Sequence, residues 1–181
     1  MSMPRYLILA LLLSTTLAAG DWSPAVEVRH DDEIAISYQA RLDGTFLVVR
    51  AALGPGWHTF AMDNKRRADE KLAGKPALSV DRPTEIVLLG FDLAGSWYQT
   101  PPKDFSHPDL RWFSWGFEGQ AVFAAKIRRP PSGPVSLKLR GQACTATICK
   151  NIDIAMALPP VGKSGDGPSE LNLKELTLVR P

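Results

Sequence analysis

Two cysteines, Cys144 and Cys149, are the only thiols in a chain of 181 residues, and they sit close together in the stretch LRGQACTATICKNIDIAM. A pair at this spacing can form a small structural bridge, exchange a disulfide with a partner, or lend soft ligands to a metal. As a staple it is weak, because closing so short a loop restrains the unfolded chain by only about 2 kcal/mol. As a redox pair it is well placed, since Lys150 beside Cys149 and Arg140 nearby favour the thiolate. A metal site needs more ligands than two thiols. His58, His107, His30 and the methionines are the candidates, but only His58 and Met62 lie in a promising strand, and no zinc spacing is present. Copper(I), which prefers sulfur, is the metal to consider. All three readings stay open on spacing alone.

The elements around the pair read as strands. Val135, Leu137, Leu139, Gly141 and Ala143 share the inward phase, which leaves Cys144 with Ser136, Lys138, Arg140 and Gln142 on the other face. On the return, Ile152, Ile154, Met156 and Leu158 point inward and Cys149 is again out of phase. Both sulfurs are therefore expected on the non-core side of a hairpin tip, where a partner can reach them. The run EIAISYQARL alternates Ile34, Ile36, Tyr38, Ala40 and Leu42 against polar residues. A turn signal at Asp43-Gly44 joins it to TFLVVRAAL, predicting a β-hairpin over 33–53. Further strands are expected at 56–62, 76–81, 85–90, 119–127, 135–143 and 151–159. Only 64–73 looks helical, and its charge marks it as an exposed insertion.

Short strands punctuated by Gly and Pro predict an all-β, immunoglobulin-like antiparallel β-sandwich. One connection, 92–119, is too long for a turn and is rich in aromatics: Trp97, Tyr98, Phe105, Trp112, Phe113, Trp115 and Phe117. It reads either as a hydrophobic cluster beneath a long loop or as a lid and docking surface, with Trp112 and Trp115 the candidates to meet a partner.

The N-terminus has one positive charge at Arg5, an apolar run from Tyr6 to Leu13, and small residues at Ala18, Ala19 and Gly20. This is the pattern of a secretory signal peptide over 1–20, too short to span a bilayer comfortably. Its removal lowers the formal net charge from +2 to +1, a balance that suggests neither nucleic acid nor an acidic membrane as partner. The expected organisation is a leader, one exported domain over 21–160, and a linker and tail over 161–181. A domain of that size can bury an adequate core without disulfides.

Three segments in order, GPGWHTFAMDN, WGFEGQAVFAAKI and VSLKLRGQACTATICKNIDIAMALP, resemble the N-terminal periplasmic domain of the thiol:disulfide interchange protein DsbD. The match runs over roughly 24–159. The first segment is similar to the family's Gly-Trp-His-x-Tyr strand, with Phe60 in place of tyrosine. The resemblance implies an immunoglobulin-like sandwich in which Cys144 and Cys149 exchange disulfides, supported by Trp57, His58, Phe60 and Lys150. It also implies a shielding ring from the aromatic loop, Phe105 or Phe113. No metal and no cofactor is implied. The implied partners are periplasmic thiol or disulfide proteins and, for a stand-alone exported domain, a separate membrane electron donor. The chain departs from the family after Cys149, where KNI replaces Leu-Pro-Pro, and in the charged insertion KRRADEKLAG.

Overall fold

The computed structural model describes residues 21–76, 81–128, 133–159 and 171–180. The leader, most of the strand expected at 76–81 and most of the expected linker lie outside the described residues.

Among the described residues, twelve strands and one α-helix are formed: β1 (Val26–His30), β2 (Glu33–Asp43), β3 (Phe46–Leu53), β4 (His58–Phe60), α1 (Asn64–Leu72), β5 (Glu85–Leu89), β6 (Leu93–Gln99), β7 (Lys103–Asp104), β8 (Trp115–Glu118), β9 (Gln120–Ile127), β10 (Ser136–Cys144), β11 (Cys149–Ala157) and β12 (Thr177–Leu178). They make two sheets, ordered β1-β2-β3-β9-β6-β12 and β11-β10-β4-β8-β7, with β5 also paired to β10. The pairings are antiparallel, as the alternating patterns require. Between the sheets lie Ile36, Tyr38, Leu47, Val49 and Phe123 from the first and Phe117, Leu137, Leu139, Ile152 and Met156 from the second. The architecture is the expected antiparallel sandwich.

The hairpin over 33–53 forms with Asp43 opposite Phe46 and Gly44 in the left-handed region, where a residue without a Cβ is unstrained. Ile34 leaves the inward phase and is exposed. A register shift in the β1–β2 pairing, between Val28 and Arg29, skips Ala35 and turns the strand's end outward. The expected long connection at 92–119 is nearly half sheet. It holds β6, paired to β9, and β7 and β8 beside β4. Gly95, Ser96 and a bulge between Leu93 and Trp97 hide β6 from an alternation test.

Helix α1 is the charged, mainly exposed insertion expected, with i,i+4 ion pairs Lys65–Asp69 and Arg66–Glu70 on its open side. It is tied down at both ends. Leu72 is buried, and Asn64 Oδ1 accepts the Trp115 backbone N–H at 2.7 Å. Just before it, the buried carboxylate of Asp63 accepts from Arg67 Nε at 2.8 Å and Gln99 Nε2 at 2.7 Å. The tail returns to the same place: β12 pairs with β6, and the Arg180 N–H donates to Asp63.

Strand β10 organises the second sheet. Along one edge it pairs with all of β11, and along the other it pairs first with β5, over Ser136–Arg140, and then with β4, at Ala143 and Cys144. The two short strands meet end to end, with Thr84 Oγ1 donating to the Phe60 carbonyl at 2.7 Å. The last two residues of β10 are thereby placed between β11 and β4.

Candidate functional site

The β10–β11 hairpin closes through Thr145, whose N–H donates to the Ile148 carbonyl at 2.7 Å and whose hydroxyl oxygen accepts from the N–H groups of Thr147 and Ile148. Hydrogen-bonded and non-hydrogen-bonded pairs alternate along an antiparallel ladder, and the latter bring Cα atoms closer. With Thr145 and Ile148 bonded, the next pair outward from the turn is the close kind. That pair is Cys144 and Cys149, with Cα atoms 4.0 Å apart and a disulfide between them.

The registers extend the row across three strands. His58 of β4 stands opposite Cys144, and Glu118 of β8 stands opposite His58. Period-two alternation puts Cys149, Cys144, His58 and Glu118 on one face. The neighbouring row, Ala143, Thr59 and Phe117, faces the core and is buried. The expectation that both sulfurs lie on the non-core face agrees with these registers.

Equal accessibility does not hold. Cys149 is exposed, but Cys144 is only 3% exposed. Aromatic rings pack on the outer face beside it. Phe105 lays its ring against His58, with centroids 5.1 Å apart, and His58 meets Phe60 edge-on at 5.4 Å. Gly116 makes room for it: a Cβ there would lie 3.2 Å from the Phe105 ring and within clashing distance of the Thr59 carbonyl. The Phe105 N–H donates to the Ser114 carbonyl at 2.8 Å, and Ser106 Oγ accepts the Ser114 N–H at 3.0 Å, which fixes the loop over the sheet. Phe60 and Cys144 are buried although neither belongs to the inter-sheet core.

The structure sorts the residues singled out from sequence. Cys144, Cys149, His58, Phe60 and Phe105 come together. Trp57 and Trp115 are in the inter-sheet core, and Phe113 packs against its margin. Trp115 in particular is 9% exposed and presents no docking surface, because its strand turns its side chain inward. Trp112 sits on the flank, donating from Nε1 to Asp81 Oδ2 at 2.6 Å, with its ring near His107. Lys150 is exposed opposite Ala143, one row from the disulfide.

Two acidic residues at the site escaped sequence reasoning. Glu118 ends the row and is paired with Lys103 at 2.9 Å. Asp81 lies near enough to act on His58 electrostatically. The outward phase of WGFEG carried the signal for Glu118, while only the fold brings Asp81 in. Burial holds His58 below the ordinary imidazole value, and the negative charges of Asp81 and Glu118 oppose that shift. The ring is therefore neutral near pH 7. Among the described residues, no group of three or more His, Cys, Asp or Glu side chains is placed to hold a metal ion. Nor is any helix there long and apolar enough to cross a membrane.

No family model and no curated protein matches this chain. Solved structures do. The N-terminal domain of DsbD from Neisseria meningitidis, in its reduced form, superposes with a TM-score of 0.50 at 13% identity, over 81% of this chain and 91% of that one. The same domain in complex with the PilB N-terminal domain gives 0.42 at 13% identity, over 78% and 92%. The GAE domain of GGA2p from Saccharomyces cerevisiae gives 0.34 at 8% identity, over 76% and 100%. At such identities the likeness is one of architecture, and the sandwich that carries Cys144 and Cys149 has the fold of the DsbD N-terminal domain.

Proposed function

We propose that the chain is a periplasmic thiol–disulfide exchange protein that passes electrons through Cys144 and Cys149. The observation that carries this reading is the unequal exposure of the pair. An exposed cysteine and a buried one, bonded at a hairpin tip with an aromatic ring beside them, suit a thiol that meets partners and a second that resolves the complex. The leader pattern and the fold support the compartment and the class of chemistry.

In the reducing direction, the Cys149 thiolate attacks one sulfur of a partner disulfide. A Cys149–partner bond forms, and the partner's other sulfur leaves as a thiolate. Cys144 then attacks the Cys149 sulfur, the bond to the partner breaks, and its electron pair leaves with the partner's second thiolate. The partner gains two electrons and two protons, and the Cys144–Cys149 bridge is restored. A separate membrane electron donor reduces the bridge by the same steps in reverse. Phe105 limits approach to the pair, so that only partners shaped to pass it exchange quickly.

Single substitutions separate the roles. Reduced Cys144→Ser protein should accumulate a stable mixed disulfide at Cys149 when given a disulfide-bonded partner or a small aromatic disulfide, detected as a mass increment. Cys149→Ser protein should accumulate little. Equal trapping by both variants, or by neither, would contradict the assignment.

A further inference from the structure

An exchanging pair with one buried member has an unmet chemical need. Burial in apolar surroundings favours the neutral thiol, yet only a thiolate can attack the mixed disulfide. The buried Cys144 must lose its proton without direct help from solvent, and no lysine or arginine pairs with it in the sheet register. Its neighbour on β4 is His58.

We propose that His58 is the proton acceptor and donor for Cys144 in the resolving step, an inference that rests on the exchange reading above. Directly opposed residues on one face of an antiparallel pair have Cβ atoms about 4.5–5.5 Å apart, within reach of an imidazole and a thiol. The ring is clamped between Phe60 and Phe105, which limits its rotation. Neither ring nitrogen has a hydrogen-bond partner among the described residues, so one is available to accept. The ring's neutral state at pH 7 makes it an acceptor and not a competing cation. The charged groups that face it are Asp81 from the segment before β5 and Glu118 from β8, and Glu118 is itself held by Lys103 of β7. Both carboxylates stabilise the imidazolium once it forms. Phe60 and Phe105, whose rings meet it, are apolar.

In the mixed disulfide, His58 takes the Cys144 proton and becomes imidazolium. The new thiolate forms the bond to Cys149 as the bond from Cys149 to the partner breaks. The departing partner thiolate takes up a proton, from His58 or from water, and the imidazole is neutral again. In reverse, when an incoming thiolate attacks Cys149, imidazolium protonates the Cys144 sulfur as it leaves.

The reduced full chain, mixed with one equivalent of 5,5′-dithiobis(2-nitrobenzoate), should release two absorbing thiolates in sequence. The first follows attack by Cys149, and the second follows resolution by Cys144. That leaving thiolate needs no proton, so the second rate isolates the deprotonation of Cys144. The expected second rate rises through an inflection below pH 6.5, the ordinary imidazole value. His58→Phe, which keeps the aromatic packing, should lose that inflection and slow the second release on the order of 100-fold at pH 7. His58→Gln should do the same with a polar side chain. A wild-type second rate that climbs with pH without an inflection, or a Phe variant that matches the wild type, would overturn the role of His58 and leave exchange intact. A folded wild-type protein whose thiols give no release would instead refute the exchange reading and the inference with it.

Discussion

Two adjacent rows of the same sheet differ in almost every physical respect. The inner row, Ala143, Thr59 and Phe117, is buried between the sheets, and its one polar side chain is satisfied by the Gln142 carbonyl at 2.8 Å. The outer row, Cys149, Cys144, His58 and Glu118, runs from exposed to buried to exposed, and it holds the chain's thiols and a ring whose nitrogens have no hydrogen-bond partner among the described residues. Backbone pairing positions both rows equally well. What separates them is what lies on each face: the opposite sheet packs over one, while on the other the Phe105 ring lies against His58 and Cys149 stays exposed. The contrast teaches that a rigid ladder can serve packing on one face and chemistry on the other. On the second face, two bonded cysteines differ in exposure.

Substitutions on the two faces should therefore fail in different ways. Leu139→Ala, on the inner face of β10, removes a fully buried side chain and should cost about 2–5 kcal/mol in denaturant unfolding, with the reactivity of the disulfide unchanged below the transition. Replacing both cysteines with serine should cost about 2 kcal/mol, since only a short loop is released, while abolishing exchange. Unfolding of the double variant at ordinary temperature would mean that the bridge is a staple. Phe105→Ala should cost about 1–2 kcal/mol, because the ring is only half-buried, yet speed reduction of the bridge by dithiothreitol. An unchanged rate would remove Phe105 from the site.

A third kind of contribution, read through its pH dependence, belongs to Asp63, which ties α1, β6 and the tail together. Burial favours its neutral form, but hydrogen bonds from Arg67 and Gln99, with the Arg67 charge, prevail and hold its carboxyl below the ordinary 3.8. Its depressed value stabilises the fold above pH 3.8, and that contribution is lost as pH falls through the folded-state value. Asp63→Asn should flatten the acid limb of the stability curve, measured as melting temperature between pH 5 and 2.

Much of this was legible in sequence because period-two alternation is a strong signal. The hairpins at 33–53 and 135–159, the charged helix and the outward phase of both cysteines were all readable. Strand β6 was not, since Gly95, Ser96 and a bulge break its alternation. The burial of Cys144 was invisible too, because phase says which face a residue occupies and nothing about what covers that face. The aromatics of 97–117 showed that something there needed a partner surface. They did not show that Trp115 would serve the core and Phe105 the site, since the difference lies in which residues β8 turns inward. The place of His58 depended on the register of β4 against β10, a pairing of residues far apart in the chain.

The most direct test of an exchanging pair is the reduction potential of Cys144–Cys149, measured by equilibrating the folded protein in graded thiol–disulfide buffers and trapping free thiols with an alkylating mass tag. The expected value lies well above about −300 mV, in the range of proteins that trade disulfides with partners. A value far below about −300 mV would mark the bridge as structural and contradict the proposed function.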